Sequence, residues 1–158
     1  MHKRGKLWSL ALVPGIGALI VAAGALVLTR DRGSASASAD KTVAIRLGEL
    51  RSQAAEGRML ARERVADHVG ALFAREHAKG LRQHIETSVE GLRDSAAPSS
   101  QAEAAREGLR IGATLGDAVQ PLVDSAPAPD ALGHAEGVLA AAARDLGRLQ
   151  RRVEDAHP

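Results

Sequence analysis

Starting at Leu7 and ending at Thr29, the sequence runs LWSLALVPGIGALIVAAGALVLT, about 23 residues without one charged side chain. At ~1.5 Å rise per residue a helix of that length measures about 34 Å, enough to cross a hydrocarbon layer of about 30 Å. A buried helix of a small soluble domain is rarely apolar on every face over such a length. The stretch is therefore expected to be a transmembrane helix of the signal-anchor type. Its ends are marked by Lys3, Arg4 and Lys6 before it and by Arg30, Asp31 and Arg32 after it, and Trp8 stands where an interfacial aromatic belongs. Pro14 and Gly15 fall inside the span, where neighbouring groups or water satisfy a freed carbonyl.

The rival reading is a cleaved signal peptide, because the Ala-Ser-Ala runs within residues 34–39 look like cleavage sites and would release a soluble helical protein. An uncleaved anchor is favoured for two reasons: a signal h-region is about 7–15 residues long, and Arg30-Asp31-Arg32 separates the apolar run from those sites. Cations on the short flanks set orientation. The tail of residues 1–6 carries Lys3, Arg4 and Lys6 with no acid, so the N-terminus is expected in the cytoplasm and the C-terminal body outside it.

The chain of 158 residues leaves about 125 beyond the span, one ordinary small domain. It has no cysteine, which excludes disulfides, thiolate metal sites and a cysteine nucleophile. The sequence pI near 9.5 suggests a nucleic-acid partner at first sight. Most of the excess positive charge flanks the span, however, and beyond Gly33 16 cations face 18 anions in a mixed order, so nucleic-acid binding is not expected. Phe73 is the only aromatic beyond the span, and any core must be built from Leu, Val, Ile and Ala.

Residues 30–40 end in GSASASAD and read as a flexible Ser/Ala linker, with Asp40 placed to cap a helix starting near Lys41. The body, residues 41–158, is expected to be all-α. Residues 41–94 hold no proline and keep helical apolar spacing through Val43, Leu47, Leu50, Ala54 and Ala61, then Val65, Val69, Leu72 and Phe73, then Leu81, Ile85, Val89 and Leu92. One long helix is expected there, with Gly70 or Gly80 as the place of a bend. Pro98 marks a boundary, and Ser100 with Glu103 has the spacing of a capping box for a second helix over 101–124. On that helix Gly108, Gly112 and Gly116 share an edge where another backbone can come close, or else they simply alternate with Ala in a chain rich in both.

A loop with Pro127 and Pro129 leads through Asp130, a second expected cap, to a third helix over 131–155. There Leu132, Leu139, Leu146 and Val153 repeat every seven residues, with Ala135, Ala142 and Leu149 between them. This coiled-coil-like face, Leu132, Leu139, Leu146, Leu149 and Val153, is the expected interaction seam, for a protein partner or a second copy. A helix inside an intramolecular bundle would carry the same stripe.

The metal candidates are His68, His77 and His84, and they are weak. His77 and His84 stand seven residues apart, so their Cα atoms lie roughly 10 Å apart along the helix, whereas a metal pair sits one turn apart. The segment His77-Ala78-Lys79-Gly80 approaches the phosphorylated-histidine motif of phosphotransfer bundles, but there the lysine and glycine come one residue later, and the chain is not assigned to that family. No catalytic residues, cofactor or small-molecule ligand can be read from the spacing. Glu49, Glu56 and Glu63 recur in register near arginines as solvated ion-pair partners.

The expected function is a membrane-anchored helical interaction or scaffold module of the cell envelope, not an enzyme. A sensory or metal-binding helical bundle is the alternative.

Overall fold

The computed structural model describes residues 36–97, 99–124 and 127–156. The chain divides into two compact units, Met1–Ala35 and Ser36–Pro158, and the second holds all of the described side chains. The expected membrane span at residues 7–29 lies outside the described residues, and among those no helix is long and apolar enough to cross a membrane. The body is all-helical, and no strand occurs among the described residues. Its helices are α1 (Val13–Val65, described from Ser36 onward), α2 (Ala71–Ala96), α3 (Ala102–Val123) and α4 (Pro129–Asp155).

All four helices bury side chains in the same rhythm. In α1 the buried positions include Val43, Leu47, Leu50, Ala54, Gly57 and Ala61; in α2 they include Ala74, Ala78, Leu81, Ile85, Ser88 and Leu92. In α3 Ala105, Gly108, Gly112, Leu115, Val119 and Leu122 follow the rule, and in α4 it runs from Leu132 through Leu139 and Leu146 to Val153. Steps of three and four alternate throughout, the period at which a helix keeps one seam toward its neighbours. Short connections reverse the chain each time, giving an up-down-up-down four-helix bundle. α1 therefore lies between α2 and α4: Gln53 Nε2 donates to Ser88 Oγ of α2 at 3.0 Å, and Arg58 stands 3.8 Å from Glu136 of α4.

Two expectations about α1 are corrected. Residues 36–40 are helical and not a linker, with Ala39 and Asp40 buried. The long helix also does not continue to residue 94. It stops at Val65, and the stop is made by Asp67, not by Gly70 or Gly80. Asp67 takes the left-handed conformation at φ 57°, the Asp67 N–H donates to the Arg64 carbonyl at 3.2 Å, and the His68 N–H donates to the Glu63 carbonyl at 2.9 Å. That pair of reversed bonds closes a helix end through a Schellman motif, with aspartate in the place glycine usually holds. Gly70 becomes the extended N-cap of α2, while Gly80 sits inside α2 with nothing near its Cβ direction. Of the apolar set expected across this region only Val69 packs against the core, half-buried, while Val65, Leu72 and Phe73 are all more than half exposed.

The capping expectations are also redistributed. Ser100 does not form a capping box with Glu103, because its hydroxyl donates to Asp40. α4 starts with Pro129 in its first turn, so Asp130 lies inside the helix and not at its cap.

Of the three glycines on α3, two are sites of close approach. A Cβ at Gly108 would stand 2.5 Å from Leu47 Cδ2 and 2.8 Å from Leu92 Cδ2, and one at Gly112 would stand 2.5 Å from Val89 Cγ2. Leu47 and Leu92 are fully buried and have no room to swing away. At Gly108 overpacking of about 1–3 kcal/mol thus exceeds the ~1 kcal/mol by which alanine improves a helix over glycine. Urea denaturation is expected to show Gly108→Ala destabilised by about 1 kcal/mol and Gly116→Ala, whose Cβ meets nothing within 4 Å, stabilised by up to about 1 kcal/mol.

Candidate functional site

The seam expected to meet a partner is used inside the chain. Leu132, Leu139, Leu146, Leu149 and Val153 are each at most 5% exposed and belong to the common core with α1, α2 and α3. Regular heptads thus mark the internal seam of α4, and these side chains present no free face.

The three histidines do not converge. His77 Nε2 lies 2.6 Å from Glu56 Oε1 of α1 and its ring stacks on Phe73, while His68 Nδ1 lies 2.9 Å from Glu63 Oε2 at the end of α1. His84 is on the exposed face of α2. No group of three or more metal-ligating side chains occurs among the described residues. Each described pairing is instead a surface contact that ties α2 or the connecting turn to α1.

One buried polar node joins distant parts of the chain. Asp40, 5% exposed, accepts from Ser99 Oγ at 2.5 Å, from the Ser100 N–H at 2.8 Å and from Ser100 Oγ at 2.8 Å. Ser99 Oγ in turn accepts from the Gln101 N–H at 2.9 Å. The sequence placed Asp40 as the cap of its own helix. It caps the start of α3, about 60 residues away, where a carboxylate also meets the positive end of the helix dipole. Burial alone would raise this carboxyl, yet hydrogen bonds from the Ser99 and Ser100 hydroxyls and from the Ser100 and Gln101 backbone hold it below the ordinary aspartate value.

Two grooves between neighbouring helices of the described surface differ in charge. The groove between α3 and α4 mixes signs: Glu103 and Glu107 line it with Arg106, Arg110 and Arg152. There the Arg110 guanidinium, hydrogen bonded to Glu107, holds that carboxyl below its usual value. The groove between α1 and α4 is of one sign. Arg51 and Arg58 line it from α1 and Arg144, Arg148 and Arg151 from α4, and no carboxylate is among its lining residues. Small residues make the floor, Gly48 and Ala55 facing Ala140, Ala143 and Gly147. Gly147 has a definite role, since a Cβ on it would stand 3.3 Å from Arg51 Nε: the bare backbone lets Arg51 lie across α4. Sequence reasoning missed this groove because its two rows are about 90 residues apart in a chain whose charges look evenly mixed.

No protein family model, curated protein or solved structure matches this chain.

Proposed function

We propose that the protein is a single-pass, membrane-anchored helical interaction or scaffold module of the cell envelope, non-enzymatic, with its N-terminus cytoplasmic and its bundle extracytoplasmic. The observation that carries this reading is the uncharged run of residues 7–29 with cations on its flanks, followed in the same chain by a bundle that forms its own compact unit. Four inward-facing seams leave the bundle a helical exterior that is mostly polar, with Ile45, Met59, Val65, Leu72 and Phe73 exposed on it, and that exterior is the surface such a module offers to others.

Two measurements test the proposal together. Alkaline carbonate extraction should leave the full-length chain in the membrane pellet, and deletion of residues 7–29 should release it. Because the chain has no cysteine, Gly137→Cys, at an exposed and sterically open position of α4, gives a single reporter thiol. A membrane-impermeant maleimide should label it in intact cells. A mature N-terminus at Ser38 or Asp40, or a thiol labelled only after lysis, would sink the anchor or its orientation.

A further inference from the structure

We propose that the groove between α1 and α4 is a docking site for an acidic helix of a protein partner. The inference rests on the interaction-module reading and assigns its surface and the chemistry of what binds there.

The argument starts from charge. Residues 36–158 carry 16 cations and 18 anions, so the body as a whole is slightly acidic, yet five arginines and no carboxylate line this one groove. Only two of the five are in ion pairs among the described residues: Arg58 stands 3.8 Å from Glu136, and Arg148 bonds Asp145 one turn earlier on its own helix. Arg51, Arg144 and Arg151 make no ion pair there, which leaves three guanidinium forks facing one valley. Arginine is the side chain whose planar fork grips carboxylates in pairs.

Shape then selects the kind of anion. From Gly48 to Arg58 the α1 wall runs about 15 Å at ~1.5 Å per residue, roughly three helical turns. Arg51 and Arg58 are seven residues apart, as are Arg144 and Arg151, so each wall repeats its cation every second turn. An occupant helix with carboxylates at positions i, i+4 and i+7 presents the matching repeat. Between the two rows Ala55, Ala140 and Ala143 add only methyl groups, while Arg51 lies over Gly147 and Gln150 faces Gly48, so an incoming helix meets guanidinium, amide and methyl groups and no bulky apolar side chain. Single-stranded nucleic acid binds on aromatic platforms, and no aromatic residue lines this groove. A lipid headgroup plane is flat and does not follow a valley between two helices.

The test uses the full-length chain in an uncharged detergent. The probe is a fluorescent helical peptide of roughly 20 residues with glutamates at i, i+4 and i+7 and alanine and leucine on the same face. Its glutamine analogue, a single-stranded DNA 20-mer and short-chain phosphatidylserine serve as competing probes. Saturable binding of the glutamate peptide is expected, weakened at least tenfold in the Arg51→Gln/Arg144→Gln/Arg151→Gln variant. It should change less than twofold in Lys41→Gln/Arg93→Gln, whose cations lie outside the groove. The glutamine peptide should not bind, and raising salt from 50 to 200 mM should weaken the glutamate complex several-fold. Circular dichroism melting of each variant confirms that the bundle is intact.

Absence of saturable binding, or equal affinity for the triple variant and the unaltered chain, would overturn the proposal. So would binding of the oligonucleotide or phosphatidylserine through the same arginines when the peptide does not bind. The membrane reading is judged separately: a chain that stays in the carbonate pellet but ignores the peptide keeps its anchor and loses this groove.

Discussion

Leu146→Glu is expected to unfold the bundle as a single chain, with a melting temperature that does not change with protein concentration. Leu146 is 0% exposed and sits in the common core with side chains of the other three helices. Removing a buried leucine costs about 2–5 kcal/mol, and burying an unpaired carboxylate adds several more. The sum of about 5 kcal/mol or more compares with a total stability of about 5–15 kcal/mol for a domain of this kind. A seam that joined two copies would behave differently: the unaltered protein would melt higher as its concentration rose, and the charge would first split the dimer. Analytical ultracentrifugation with melting at several concentrations of residues 36–158 separates the two outcomes. A concentration-dependent melt of the unaltered body would mean that α4 serves a second chain after all.

Asp40→Ala is expected to cost about 2–3 kcal/mol, since it leaves the Ser100 N–H and two serine hydroxyls at the start of α3 without their charged acceptor. Asp40→Asn should cost less, because an amide oxygen still accepts one of those bonds. The pH dependence follows from the sign of the shift. The folded carboxyl is held below its unfolded value near 3.8, so its contribution is complete above that value and is lost as pH falls through the lower folded one. The gap in stability between the unaltered protein and Asp40→Asn should thus be constant from pH 7 to about pH 5 and narrow below about pH 4. Chemical denaturation at several pH values reads this directly. A gap that persists unchanged into strong acid would show that the carboxylate charge has no part in the node.

The helical class of the body could be read from residue spacing, and α4 could be read almost in full, because leucine or valine holds most of its seam. The same rhythm runs through α1, α2 and α3, but there Ala54, Gly57, Ala74, Ala78, Ser88, Ala105, Gly108 and Gly112 occupy many of the buried positions. Hydropathy does not register a glycine or serine as core, so spacing shows the repeat in pieces, Val43 to Ala54 in α1 and Leu81 to Leu92 in α2, and leaves out the small and polar positions that complete it. The regularity of α4 therefore looked like a special surface when it was the common rule written in larger side chains. The break in the long helix was misplaced for a related reason: glycine is the usual signal of a left-handed helix end, and here Asp67 takes that conformation. Asp40 was recognised as a capping residue, yet which helix it caps depends on a contact about 60 residues away in the chain. The arginine groove needed the pairing of the first helix with the last, which no local pattern encodes.

That pairing also orders events in time. Synthesis delivers α1 first and α4 last of the four, and α1 lies beside α4 in the finished bundle. While only α1, α2 and α3 have emerged, Leu139, Leu146 and Leu149 have not arrived to complete the core, and the second wall of arginines does not exist. The basic valley is thus assembled by the same step that seals the apolar interior. A nascent or truncated chain lacking α4 keeps Arg51 and Arg58 but has no second row opposite them, so on the proposed docking role, readiness to bind would report that the bundle has been completed.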